Sequence, residues 1–126
     1  MEPKTRDHIE CALRNEAFAR WILTPSRDRP EQSNEWGVVA SFYAAVHFVN
    51  AYLWEIHRFE PRNHHQRQVH LRNDPPLAAM QRHYRTLAEL GWAARYDPSA
   101  QMTRQILSES VANLEPIKTA VLHELQ

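Results

Sequence analysis

The chain has 126 residues, 43% of them hydrophobic, with eight prolines and two glycines, enough for one core and too few for two ordinary domains, so residues 1–126 are read as a single domain. Fifteen basic residues cancel fifteen acidic ones, which excludes a global field that would gather nucleic acid or anionic membrane and leaves such binding to a local patch. One cysteine, Cys11, excludes an intramolecular disulfide and a cysteine-rich zinc site.

In chain order, the charged opening MEPKTRDHIECALRNE lacks the apolar stretch of a secretion signal, and a cytoplasmic location is expected. Ile9, Leu13, Ala17 and Trp21 recur every four residues and predict a first amphipathic helix over Asp7–Leu23. Thr24 to Glu35, with two prolines and charges of both signs, predicts a solvated connection, and Ser33 or Asn34 is the expected cap of the next helix. Trp36 to Trp54 carries no formal charge over nineteen residues, the length of a membrane span. Ser41, His47 and Asn50 interrupt its apolar character, so a buried central helix from about Glu35 to His57 is expected, with no membrane partner. Pro61 must end that helix or follow its end.

The polar, histidine-rich segment Pro61 to Leu71 reads as a loop leading into one or two helical turns. Asn73 or Asp74 before Pro75 starts another helix, which Leu77, Met80, Tyr84, Leu87 and Gly91 continue. After a break at Arg95 to Ser99, a last helix carries Ile106, Leu107, Val111, Leu114, Val121 and Leu122, and Pro116 should kink or split it. No alternating pattern marks a strand and no internal repeat is visible. An all-α fold, an antiparallel bundle of four to five helices, is the expectation.

Three groups of residues could carry chemistry. Tyr43, His47, Asn50 and Trp54, spaced by four, three and four, form one ridge of the second helix. They are either the wall of a pocket in which an imidazole binds phosphate or moves a proton, or buried polar groups that satisfy one another. His64, His65, Arg67, His70 and Arg72 make the densest local basic patch, offering acid–base groups and phosphate donors, or else an exposed loop with idle histidines. No HExxH pattern and no cysteine partner accompanies these histidines, so neither a metal nor a cofactor is expected. Tyr84, Arg95 and Tyr96 form the third group, in which Arg95 either clamps an anion or caps the end of its helix. Arg82, Arg85 and Glu89 read as a solvated face. Without GxGxxG, GxxxxGK[ST] or GxSxG, nucleotide-loop enzymes and serine hydrolases are excluded.

Taken in order, Trp36 with FYAAVH (Phe42 to His47), Asn50, Ala51 and Leu53, then Pro61, His64 and Arg67 as P-x-x-H-x-x-R, then Tyr84 and Leu87, then Ala94 to Tyr96 as ARY, resemble the HEPN (higher eukaryotes and prokaryotes nucleotide-binding) superfamily in its uncharacterised bacterial form. That resemblance implies a bundle of four main helices with short additions, often dimeric, in a superfamily tied to RNA cleavage, nucleotide binding and bacterial toxin or defence systems. It implies an accessory or effector protein that binds RNA or a nucleotide phosphate through His64, Arg67 and Arg95, with Tyr43, His47, Asn50, Tyr84 and Tyr96 around the ligand and a homodimer or another protein as partner. In ribonucleases of the superfamily an R-x(4 to 6)-H motif near the start of a late helix forms a composite site across two protomers. Here Arg58 and His64 have the spacing, but Pro61 lies between them and the pair precedes the expected helix. A metal-independent ribonuclease with His64 and Arg67 as catalytic residues is therefore one alternative, and a non-catalytic dimerisation or adaptor module another.

Overall fold

The computed structural model describes all residues 1–126, and every regular element in it is helical. The order is α1 (Pro3–Leu23), α2 (Ser33–His57), α3 (His64–Asn73), α4 (Pro75–Ala78), α5 (Gln81–Tyr96) and α6 (Arg104–Glu124). The all-α expectation holds; most of its boundaries move.

The first helix begins four residues before Asp7, because Pro3 occupies a first-turn position where its missing N–H costs nothing. The second starts at Ser33 rather than being capped by it, and the residue before it, Gln32, makes no side-chain cap bond. Its far end is defined more sharply. Arg58 takes a left-handed conformation (φ 52°), its N–H bonds to the Trp54 carbonyl and that of Phe59 to the Leu53 carbonyl, a reversal that glycine usually provides. The Arg58 guanidinium holds the turn by donating to the Trp54 and Glu55 carbonyls and pairing with Glu2 at 3.0 Å.

The histidine-rich segment, expected as a loop leading into one or two helical turns, is a ten-residue helix from His64 to Asn73. Asn63 caps it by accepting from the Gln66 N–H, and Gln66 accepts from the Arg62 N–H. An asparagine followed three residues later by glutamine signals a helix start; only Val69 and Leu71 supply apolar periodicity behind it, so the hydrophobic pattern alone hides the helix. The single helix expected from Pro75 through Gly91 is broken at Ala79–Met80 into α4 and α5. Pro116 does not split α6; the carbonyl it deprives of a donor belongs to Ala112, an exposed position.

Helix α2 is the hub. It runs antiparallel to α1, since Glu55 near its C-terminal end accepts from the Glu2 N–H and the Thr5 hydroxyl at the start of α1, and His47, further back along α2, meets His8, further along α1. It also runs antiparallel to α5, with Phe42 against Gly91 and Val46 beside Ala88. The buried carboxylate Glu16 ties α1 to α6 by accepting from Lys118 at 2.8 Å and from Arg20, which also reaches Glu115. Both glycines mark close helix crossings: a Cβ on Gly37 would lie 2.7 Å from Leu107, and one on Gly91 would lie 3.0 Å from Phe42. The apolar window of α2 that is long enough to cross a membrane is 83% buried inside the protein, which accounts for its composition as core.

The far end of α2 is fastened to the crossover. Asp74 stands at the N-cap position of α4 but makes no side-chain cap bond; its carboxylate instead accepts from the Tyr52 hydroxyl at 2.9 Å, while His57 Nε2 lies 2.7 Å from its other oxygen. The α3–α4 crossover is thereby pinned across the C-terminal half of α2, and this places α3 beside α5.

Candidate functional site

Between α2, α3 and α5 lies an open pocket of about 560 Å³, lined by Phe42, Tyr43 and Val46 from α2, His64, Arg67 and Gln68 from α3, and Arg85, Ala88, Glu89, Trp92 and Arg95 from α5. The α5 residues recur at intervals of three and four, so one helix face supplies them all. Three guanidiniums and an imidazole face a single carboxylate, Glu89. None of the three arginines is in an ion pair; the arginines that are paired, Arg20 and Arg58, lie elsewhere.

Arg67 is the unusual member. An exposed loop is one of its two alternatives in the sequence, but Arg67 is only 8% exposed on α3. Its Nε donates to Asn50 Oδ1 at 2.9 Å and its Nη1 to the Tyr84 hydroxyl at 3.3 Å, both neutral acceptors, and its remaining amino group has no protein partner. A buried charge without a counter-charge carries a desolvation cost that neutral hydrogen bonds only partly offset. An anion in the pocket would supply that counter-charge.

His64 stands beside it, half-buried, with Nδ1 3.1 Å from the Tyr84 hydroxyl and its ring stacked on Tyr84. Burial lowers its pKa below the ordinary histidine value, and repulsion from Arg67 and Arg95 lowers it further. The imidazole is therefore neutral at pH 7, and Nε2 is the ring nitrogen left for a ligand. Tyr84 is buried completely and burial raises the pKa of its phenol, so it stays protonated behind the wall. Arg95 anchors its Nε on the Gly91 carbonyl of α5, donates through Nη1 to the Tyr43 hydroxyl at 2.9 Å, and lies 5.1–5.5 Å from the ring centroids of Phe42, Tyr43 and Tyr96. Because Gly91 lies within the helix ladder and not among its last carbonyls, this bond fixes the side chain against α5 without capping it, and Arg95 faces the pocket.

Of the residues the sequence singles out, Tyr43, His64, Arg67 and Arg95 line the pocket, and Asn50 and Tyr84 sit behind it as supports for Arg67. His47 does not join them. It turns to α1, where its Nδ1 lies 3.0 Å from Nδ1 of His8, so the expected ridge of Tyr43, His47 and Asn50 diverges, each member bonding to a different helix. Tyr96 stays outside the lining, exposed and packed on Trp92. Arg58 bonds only within the α2 terminus and to Glu2, and shares no partner with His64. Arg85, Glu89, Phe42 and Trp92 are the lining residues that sequence reading passes over; the face Arg85, Ala88, Trp92, Arg95 on a helix was the available signal.

Burial also lowers the pKa values of His8 and His47, the first with a further contribution from His47 and the second from Arg67. With His64, three imidazoles thus resist protonation in the folded state and titrate near 6.5 in the unfolded one. Above pH 6.5 they are neutral in both states and contribute nothing. As pH falls below 6.5 the unfolded chain takes up protons that the folded chain refuses, so stability drops. Thermal melts from pH 7.5 to 5 should show a falling Tm, and His47→Gln should make that slope shallower; a Tm flat across this window would overturn the assignment.

The fold and pocket thus define an all-α protein with a cationic, aromatic-rimmed cleft. Compared with protein-family models, curated proteins and solved structures, the chain matches none.

Proposed function

We propose that this chain binds a phosphate-bearing ligand, RNA or a nucleotide, in the pocket between α2, α3 and α5, as an accessory or effector protein of the HEPN type. The observation that carries the reading is Arg67, buried against Asn50 and Tyr84 with no carboxylate partner and a free amino group in the pocket wall. Arg85 and Arg95 add charge at the mouth, and the rings of Tyr43 and Trp92 offer stacking surfaces beside them. The order of the sequence motifs supports the HEPN assignment, with the toxin or defence setting and the dimeric state that the superfamily implies, and the four long helices with a short α3–α4 crossover are compatible with its bundle.

The test is retention of a mixed RNA pool and of nucleoside phosphates by the purified protein in EDTA, beside Arg85→Ala and Arg95→Ala. Arg85 makes no ion pair or hydrogen bond in the protein, so Arg85→Ala should melt within about 2 °C of wild type, whereas Arg95→Ala also loses its bonds to Gly91 and Tyr43 and should melt a few degrees lower; each should bind roughly tenfold more weakly, the scale of one charge-assisted hydrogen bond. Wild type that retains neither RNA nor nucleotide, or variants that bind as tightly as wild type, would refute the proposal.

A catalytic version is favoured by one further observation, the neutral His64 imidazole beside Arg67. In metal-independent RNA cleavage, His64 Nε2 would take the 2′-hydroxyl proton as the 2′-oxygen bonds to the adjacent phosphorus, the guanidiniums would stabilise the charged phosphorane, and the P–O5′ bond would break with the 5′-oxygen leaving protonated by water. His64→Gln should then abolish product formation in EDTA while RNA is still retained. Intact RNA with wild-type protein removes this version and leaves the binding reading in place.

A further inference from the structure

The pocket is not the only concave surface that touches Arg95. On its other side Arg95 forms, with Glu35, Trp36, Val39 and Ala94, a second and smaller groove of about 220 Å³. Arg95 therefore stands as the partition between two grooves. Three aromatic residues around it are conspicuously uncovered for their size, Trp36 at 64% exposed, Trp92 at 57% and Tyr96 at 61%, and Tyr43 is exposed to a lesser degree at 38%. Their order is continuous. Trp92 and Tyr43 line the larger pocket, Trp92 packs on Tyr96 with ring centroids 5.8 Å apart, Arg95 lies over both Tyr43 and Tyr96, and Trp36 closes the far groove.

Isolated exposed apolar residues need no explanation, but a contiguous row on two packed helices marks a binding surface. Its occupant follows from what interleaves the rings. Arg95 makes no ion pair, its second amino group has no partner in the protein, and Arg85 and Arg67 continue the positive charge along one side. Aromatic faces alternating with unpaired guanidiniums match a chain in which flat bases alternate with phosphates. Glu35, the one carboxylate of the smaller groove, suits base amino groups rather than phosphate. A duplex keeps its bases stacked internally and offers these rings nothing to stack on.

We propose that the Arg95 partition makes this a reader of single strands over at least one dinucleotide step: the phosphodiester lies on Arg95, one base enters the larger pocket against Tyr43 and Trp92, and the neighbouring base stacks on Trp36 in the smaller groove. The inference rests on the phosphate-binding reading of the larger pocket and specifies its ligand. It distinguishes the protein from a mononucleotide sensor, for which the larger pocket alone would suffice.

The experiment is a titration of the protein with a nucleoside monophosphate, a dinucleotide and a tetranucleotide of the same base, and with a blunt duplex, following tryptophan quenching and calorimetric heat at fixed salt. One added stacked base should tighten binding about tenfold from mono- to dinucleotide, with the duplex weaker than the single strand. In Trp36→Ala, whose side chain is too exposed to matter for folding, the ratio of dinucleotide to mononucleotide affinity should fall close to one. A dinucleotide that binds no more tightly than the mononucleotide, or a ratio that Trp36→Ala leaves unchanged, sinks the two-groove inference while the phosphate-binding reading survives. Absence of binding by every ligand sinks both. Light scattering on the same samples covers the remaining occupant: a wild-type dimer that Trp36→Ala converts to monomer would make the row an interface between copies of this chain and overturn the inference.

Discussion

Arg67→Ala should lower Tm by about 5–10 °C and remove detectable phosphate binding. Truncation leaves Asn50 Oδ1, buried and supplied by Arg67 Nε, without a donor, and it opens space where the arginine stem packed. An orphaned buried acceptor costs roughly 1–3 kcal/mol, and in a chain of this size each kcal/mol moves Tm by about 3–5 °C. Tyr84 suffers less, because its hydroxyl keeps His64 as a partner. The more informative variant is Arg67→Met, which preserves volume and removes the buried charge whose desolvation no carboxylate offsets. It should fold with a Tm closer to wild type than Arg67→Ala and yet fail to bind, since the counter-charge for the ligand is gone. Calorimetric unfolding and a binding titration on both variants check this. Arg67→Met that binds as wild type would mean the guanidinium serves only to join α2, α3 and α5.

Phe48→Ala should be the costliest apolar truncation, about 3–5 kcal/mol. Phe48 is fully buried near the middle of α2, the helix against which α1, α5 and α6 all pack, and it belongs to the larger of the two apolar clusters together with Leu53, Tyr84, Leu87 and Leu114. The void cannot collapse easily when its walls come from several helices. Trp36→Ala, in the same helix but exposed, should cost under about 0.5 kcal/mol. Urea titrations of the two variants give the comparison, and a Phe48→Ala midpoint close to that of Trp36→Ala would show that α2 is not the hub of the fold.

How far the site is legible depends on the kind of signal each residue carries. The long helices are written in periodic apolar residues, and their existence and type follow from that pattern. The α3 helix is held by a cap at Asn63 and by a few polar side chains rather than by an apolar stripe, so periodicity misses it and takes most of its residues for a loop. His47 illustrates a different limit. Its spacing from Tyr43 and Asn50 was correct, but where on the helix circumference another helix packs determines which neighbour a side chain finds, and α1 brings His8 to it. Arg85 and Glu89 looked like a solvated face because charged residues at helical spacing usually are; only the approach of α3 gives that face an opposite wall.

The sequence by itself determined that the chain is all-α and that the uncharged run from Trp36 to Trp54 is its core helix, and it offered Tyr43, His47, Asn50, His64, Arg67, Tyr84, Arg95 and Tyr96 as site candidates. The first two follow from local physics, backbone propensity and apolar periodicity; the candidates follow from the chemistry each side chain brings, and only the family resemblance joined them around one ligand. Tertiary structure alone decided that Arg67 is buried without a counter-ion, that Asn50 and Tyr84 hold it while His47 goes elsewhere, and that Arg95 divides two grooves edged by exposed rings. Burial and pairing are relations between segments distant in the chain, set by how helices cross and by the Asp74 anchor that lays α3 beside α5, and no local pattern encodes them.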